Sequence, residues 1–154
     1  MELTDLVKQS CIKVPLAATN KADAIAELVD VLAQQGVIGD AQVITTAVME
    51  REGQRSTGIG EGLAVPHGRC DKITQLEMAM GIPAEPIDFS AYDHKPVRLI
   101  ALLISPQDNT AAHIQALGRI SRFFADRVRR EEAYACDSAD SLYELMTKAA
   151  PQEA

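Results

Sequence analysis

The sequence predicts an α/β domain in which a central mixed β-sheet is flanked by α-helices on both faces. Three observations support this fold class. Helical and extended patterns alternate along the 154 residues, as they do in layered α/β folds. The run PVRLIALLI (96–104) is apolar throughout, as expected of a strand covered by helices on both sides. Several other segments repeat apolar residues every three or four positions, which is typical of amphipathic helices.

Two helices are predicted in the first third of the chain. The first covers residues 21–35 and stops at Gly36, and its apolar positions share one face: Ile25, Leu28 and Leu32. The second begins after the N-cap Asp40 with AQVITTAVMERE. Arg51 therefore lies in the last turn of the second helix, directly before a glycine-rich segment.

Three strands are predicted in the middle of the chain. The glycine-rich loop RSTGIGEG (55–62) leads into LAVP (63–66), a short buried strand that ends where proline removes a backbone donor. LEMAMGI (76–82) is a second strand, and residues 96–104 form the third. We expect the third to lie at the centre of the sheet.

Two helices are predicted after the last strand. The segment SPQDNTAA forms a turn and cap, and the helix at 113–128 carries one apolar stripe: Ile114, Leu117, Ser121 and Phe124. Adjacent helical positions differ by about 100°, so Phe123 and Phe124 are not both expected in the core. One would then lie at an interface, which leaves a homodimer open. A final helix covers residues 138–150 from the cap Ser138 and packs through Leu142, Leu145 and Met146.

Length and composition predict one domain over residues 1–154 and exclude several function classes. The net charge of −7 argues against nucleic-acid binding, which needs a basic face. Three cysteines without a CxxC pair indicate neither a disulfide framework nor a zinc site, and a reducing cytoplasm is the expected setting. No signal peptide is recognisable, and the longest apolar run, residues 99–104, is too short to insert into a membrane.

The segment GIGEGLAVPHGR (58–69) places one histidine, His67, between Pro66 and Gly68. Proline fixes the backbone, and glycine permits close approach of another backbone or a ligand. An imidazole with a pKa near ~6.5 is largely neutral at cellular pH, so one ring nitrogen can act as a nucleophile while the other is held. Taken alone, His67 is better explained as a packed loop histidine than as a nucleophile.

The neighbours of His67 favour phosphoryl transfer. Arg51 and Arg55 can bind an oxyanion, and the loop offers hydroxyls and amides to phosphate oxygens from Ser56, Thr57, Gly58 and Gly60. His113 begins a predicted helix, where the dipole favours an anion. GIGEG is not the GxGxxG of dinucleotide sites, no GxxxxGK[ST] occurs, and no metal-ligand pattern is present. The chemistry therefore requires no metal and no cofactor.

Two stretches carry a family resemblance: STGIGEGLAVPHGR (56–69) and PIDFSAYDHKPVRLIALLISPQDNTAAHIQALGRISRFF (86–124). They resemble the IIA domain of the mannitol/fructose class of the bacterial phosphoenolpyruvate-dependent phosphotransferase system, over roughly residues 5–148. The resemblance implies that His67 accepts a phosphoryl group through Nε2. It also implies that Arg51 and His113 stabilise this group, and that the polar pair Ser56 and Thr57 lies near the phosphate.

The resemblance also implies partners. A phosphorylated histidine-containing carrier protein would be the donor, with Arg55 and Arg69 as weaker candidates for steering it. The acceptor would be a cysteine of a IIB domain in sugar uptake, or the protein would bind a regulatory target according to its phosphorylation state. The stretch at 86–108 resembles the nitrogen-regulatory type more than the mannitol type.

Two functions outside phosphoryl transfer stay open at this point. One is an interaction module in which His67 is never phosphorylated. The other is a thiol enzyme in which His67 is the base for Cys70, although a spacing of three residues does not aim these side chains at each other.

Overall fold

A computed structural model describes residues 2–149 of the chain. The elements are α1 (Leu3–Leu6), a 3₁₀ turn (Gln9–Cys11), β1 (Ile12–Leu16), α2 (Lys21–Gln34), α3 (Ala41–Gln54), β2 (Gly58–Gly60), β3 (Leu63–Ala64), β4 (His67–Cys70), β5 (Glu77–Pro83), β6 (Leu99–Pro106), α4 (Thr110–Ala125), α5 (Arg127–Tyr134) and α6 (Ala139–Ala149). Within the described range, no helix is long and apolar enough to cross a membrane. The last residue of the predicted 138–150 helix and the ends of the predicted domain lie outside that range.

The six strands form one mixed sheet, as predicted. Its order is β1-β5-β6-β3-β2, and β4 pairs with β6 as well. Strand β5 is antiparallel to β6, whereas β3 and β4 are both parallel to β6. The predicted central strand is therefore the strand on which most of the sheet is assembled.

The sheet is covered by helices on both faces, which confirms the predicted fold class. Alternate side chains of β6 enter two separate cores. On one face, Leu99, Ala101 and Leu103 pack with α1, α4, α5 and α6. On the other, Ile100, Leu102 and Ile104 pack with α2 and α3. An apolar run without alternation is what such two-sided burial requires.

The two predicted N-terminal helices are confirmed with their local signals. The Asp40 carboxylate accepts hydrogen bonds from the amides of Gln42 and Val43 at the start of α3. Gly36 follows α2 with φ 72°, a left-handed conformation that favours glycine. Helix α3 runs to Gln54, one residue past Gly53, and Arg51 lies in its last turn as expected.

The prediction of a helix at 113–128 was wrong in its bounds and in its buried face, because α4 begins and ends three residues earlier. The helix ends at Ala125, and Asp126 caps a new helix, α5, by accepting from the Val128 amide. The buried residues of α4 are His113, Ala116, Ile120, Phe123 and Phe124, whereas Ile114 is 62% exposed. Both phenylalanines are buried in one core cluster, where the Tyr134 ring of α5 stacks on Phe124 with the ring centroids 6.2 Å apart. The pair therefore gives no support to a homodimer.

The strand around His67 also differs from the prediction. The predicted strand ends at Pro66, but the chain breaks only over Val65 and Pro66 and then continues along β6 as β4. The Leu103 amide donates to the Pro66 carbonyl at 3.0 Å, which bridges the break. His67 therefore begins a strand instead of following one, and strands β1 and β2 were not predicted.

Candidate active site

The orientation of His67 is fixed by its own strand. Its Nδ1 lies 2.9 Å from the Val65 carbonyl oxygen. Because a carbonyl can only accept, Nδ1 carries the ring proton and Nε2 holds the lone pair. Burial lowers the pKa of His67, and the positive charges of Arg51 and Arg69 lower it further, against the opposing effect of the Val65 carbonyl and the Glu52 carboxylate. His67 is therefore a neutral imidazole with Nε2 as the nucleophilic atom.

His113 lies beside His67 in the first turn of α4. The two ring centroids are 5.1 Å apart, with an angle of 62° between the ring planes. His113 is only 6% exposed, and its Nδ1 is hydrogen-bonded to the Ser105 hydroxyl. Burial lowers the pKa of His113 to about 4, with His67, Arg69 and Arg51 contributing in the same direction. The sequence prediction that both histidines meet at one site is matched by their positions.

Arg51 reaches the site because α3 packs closely on β4. A Cβ atom on Gly68 would lie 3.0 Å from Cγ2 of Val48, which is tighter than an ordinary contact and would force the Val48 side chain to shift. Arg51 is one turn further along α3, where its Nη1 donates to the Arg55 carbonyl at 3.0 Å. Its charge acts on both imidazoles. The close approach expected of Gly68 is thus made by a helix.

Arg69 is a fourth member of the site, although its sequence position made it only a weaker candidate for steering the donor. It follows His67 by two residues on β4, so both side chains project from the same face of the strand. Its Nη1 donates to the Gln107 carbonyl at 3.3 Å and to the Thr110 hydroxyl at 3.1 Å. Its charge lowers the pKa of both histidines. The alternation that identifies Arg69 is informative only once residues 67–70 are known to be a strand.

Ser56 and Gly58, which are predicted to bind phosphate, are hydrogen-bonded to each other in this structure. The Ser56 hydroxyl donates to the Phe89 carbonyl at 2.6 Å and accepts from the Gly58 amide at 3.0 Å. A Cβ atom on Gly58 would lie 2.8 Å from Cβ of Ala91. Close packing against Ala91 is therefore a sufficient reason for glycine at this position. A phosphate contact from either residue would replace one of these bonds, and their binding role stays a prediction.

Thr57 is held by a buried carboxylate. Its amide donates to Glu52 at 2.9 Å, and its hydroxyl donates to the other carboxylate oxygen. Glu52 is 4% exposed and lies 3.0 Å from Lys21 Nζ of α2. Both donors of Thr57 therefore fasten the loop to α3, next to Arg51. Its predicted contact with phosphate also stays a prediction.

Cys70 lies on the other side of β4 from His67. Three positions apart on a strand means opposite faces, and Cys70 packs against the core shared with α2 and α3. Its sulfur accepts from the Lys72 amide at 3.4 Å. His67 is therefore not placed to act as a base for this thiol. Among residues 2–149, no three His, Cys, Asp or Glu side chains are grouped to hold a metal ion.

A family model described as "Phosphoenolpyruvate-dependent sugar phosphotransferase system, EIIA 2" matches residues 5–149. The chain belongs to this EIIA type 2 family. It is 31% identical to a nitrogen regulatory protein of Klebsiella oxytoca over 97% of this chain and 92% of that protein. It is 28% identical to the fructose-specific EIIABC component of Bacillus subtilis (strain 168) over 96% of this chain, but spans only 23% of that protein's length.

A solved structure supports the same assignment. The crystal structure of the nitrogen regulatory protein IIA-Ntr from Neisseria meningitidis matches with a TM-score of 0.85 and 27% identity, over 94% of this chain and 98% of that one. Relatives of both the regulatory and the sugar-specific kind thus share this domain. The chain is an EIIA-type phosphotransferase component, as the resemblance of its motifs indicated.

Proposed function

We propose that this EIIA domain carries a phosphoryl group on Nε2 of His67, and that it does so as a regulatory, nitrogen-related IIA protein. The hydrogen bond from Nδ1 to the Val65 carbonyl is the observation that carries the first part. It fixes the tautomer whose Nε2 can attack phosphorus. The burial that disfavours protonation keeps that lone pair available at neutral pH.

The transfer step requires neither a general base nor a metal ion. The Nε2 lone pair of His67 forms the new N–P bond, while the N–P bond of the donor phosphohistidine breaks and the donor nitrogen keeps that electron pair. His67 retains its Nδ1 proton, and the Val65 carbonyl stabilises the positive charge that develops on the ring. A histidine-containing carrier protein is the expected donor, because its phosphohistidine releases a neutral imidazole, which matches the imidazole of His67 that attacks.

The charges around His67 favour a phosphoryl group over a proton. Arg51 and Arg69 both lower the pKa of the ring, which means that they repel a cation placed there. The same guanidinium groups attract the oxygens of a phosphoryl group, since charge-assisted hydrogen bonds from arginine suit phosphate. Preorganised donors of this kind stabilise charge that develops in the transition state.

The regulatory role is supported by the nitrogen regulatory relative, which the chain matches over nearly its whole length at 31% identity. Such a protein would act in the cytoplasm by binding a target according to its phosphorylation state. The alternative is a sugar-specific IIA that passes the phosphoryl group to a IIB domain. The fructose-specific EIIABC relative favours this second reading.

The first test is phosphorylation in vitro. The purified protein is mixed with phosphoenolpyruvate, enzyme I and the carrier protein, and intact mass is followed for wild type, His67→Ala and His113→Ala. We expect one acid-labile phosphoryl group on wild type and on His113→Ala, and none on His67→Ala. No phosphoryl group on any variant, with a control acceptor phosphorylated in parallel, would instead favour an interaction module.

The role of Arg51 is tested by the rate of the same reaction. Loss of one preorganised donor typically costs about 10²-fold, so Arg51→Ala should slow phosphorylation by roughly that factor. Arg122→Ala is the matched control, because Arg122 is exposed and lies nine residues beyond His113 on α4. Equal rates for the two variants would remove Arg51 from the proposal.

The acceptor decides between the two roles. Phosphorylated protein is separated from its donor and offered to a purified IIB domain of a fructose system. Rapid loss of the phosphoryl group to a IIB cysteine would favour sugar uptake. Retention of the group, with a sugar-specific IIA transferring in the same assay, is expected for the regulatory protein.

A further inference from the structure

Ser105 is a buried hydroxyl at the end of an otherwise apolar strand. It is 0% exposed, and the residues before it on β6 are all apolar. By alternation along β6, Ser105 projects from the same face as Leu103, which packs with α4. In the sheet register it lies opposite Arg69, while Leu103 lies opposite His67. The serine therefore lies beside the site, on the strand that pairs with β4.

The only acceptor that the described residues offer to the Ser105 hydroxyl is Nδ1 of His113, eight residues later in the chain. If His113 instead donated its own proton to the serine, the serine hydroxyl proton would be left buried without an acceptor. An unsatisfied buried donor is costly. The hydroxyl must therefore donate to Nδ1, which leaves the ring proton of His113 on Nε2.

We infer that Ser105 is a positioning residue that sets the tautomer of His113, so that His113 offers an Nε2–H donor to the phosphoryl group on His67. This inference rests on the proposed phosphoryl transfer. The two imidazoles then have complementary states: His67 carries its proton on Nδ1 and attacks through Nε2, and His113 carries its proton on Nε2 and donates. Neither histidine is charged at neutral pH, so His113 acts on the phosphoryl group as a neutral hydrogen-bond donor.

The tautomer is measured directly by long-range ¹H–¹⁵N correlation spectra of the unphosphorylated protein at neutral pH. We expect wild-type His113 to carry its proton on Nε2, and Ser105→Ala to shift His113 toward Nδ1–H or a mixture. Ser121→Ala is the matched control, since Ser121 is an exposed serine on the helix that carries His113. Its spectrum should show the same His113 tautomer as wild type. A wild-type His113 protonated on Nδ1 would overturn the inference.

A double-mutant cycle tests whether Ser105 acts through His113. Loss of the His113 donor should slow phosphorylation about 10²-fold, and Ser105→Ala, which leaves the ring in place, should slow it about tenfold. In the His113→Ala background, Ser105→Ala should change the rate less than twofold. Equal slowing in both backgrounds would show a merely structural serine and refute the inference.

The two readouts also separate this inference from the proposed function. If wild type accepts no phosphoryl group, the proposed function fails while the spectra still report the tautomer. If phosphorylation proceeds but Ser105→Ala changes neither the spectra nor the rate, the inference fails alone.

Discussion

Acid should destabilise this protein through His113. In the unfolded chain an imidazole takes up a proton near pH ~6.5, whereas burial and the neighbouring cations lower the pKa of folded His113 to about 4. As the pH falls, the unfolded chain binds the proton first. The stability of the neutral, buried ring is therefore complete above pH ~6.5 and is lost progressively down to the folded pKa.

The magnitude follows from the shift. At about 1.4 kcal/mol per pKa unit, the depression of His113 corresponds to about 3 kcal/mol of unfolding free energy, of which about 2 kcal/mol is lost by pH ~5. This is a large share of the stability of an ordinary domain, which is about 5–15 kcal/mol. His67, whose pKa is also lowered by burial, contributes with the same sign.

Urea unfolding between pH ~7.5 and pH ~4 measures the effect on wild type and His113→Gln. The difference in unfolding free energy between the two proteins isolates His113, because the carboxylates that titrate in this range are common to both. We expect the unfolding free energy of wild type, relative to that of His113→Gln, to fall by about 3 kcal/mol from the highest to the lowest pH. Arg122→Ala, which removes no group that titrates there, should run parallel to wild type. Parallel profiles for wild type and His113→Gln would refute the reasoning.

Three further predictions concern stability and are measured by urea unfolding. Glu52→Ala should lower the unfolding free energy by about 3 kcal/mol, because it leaves Lys21 without its buried partner and releases Thr57. The control Lys95→Ala, in an exposed ion pair, should lower it by less than ~0.5 kcal/mol. Equal losses for the two variants would contradict this account. Gly118→Ala should stabilise by about 0.5–1 kcal/mol, since nothing lies within 4 Å of the new Cβ in the middle of α4; a loss of stability would show an unrecognised constraint. Gly81→Ala should cost about 1–3 kcal/mol, because its Cβ would lie 2.7 Å from Leu16; an unchanged midpoint would mean that the side chain of Leu16 relaxes without cost.

The helices could largely be predicted because their signals are local. Asp40 and Ser138 cap helices as expected, since a cap depends on amides only two or three residues away. The buried face of α4 could not be predicted in the same way. His113 is polar, so hydrophobic periodicity alone predicts Ile114 on the buried stripe. In the structure the neighbouring site and the stacked Tyr134 decide which face is covered.

The site was half predictable. His67, Arg51 and His113 stand out in the sequence by their motif and its resemblance to a family, and the fold brings them together. Arg69 and Ser105 do not stand out, because their places depend on the pairing of β4 with β6. That pairing joins residues more than 30 positions apart, and nothing within either segment encodes its register.

The sequence by itself determined the fold class, most of the helices, the central strand and the histidine that we propose as the phosphoryl carrier. These depend on hydrophobic periodicity, capping and a short motif, which are properties of contiguous residues. Only the tertiary structure decided that His67 begins a strand, that Arg69 shares its face, and that Ser105 reaches His113. The physical reason is that proton positions and charge contacts depend on which distant groups are buried together, and burial is a property of the packed chain.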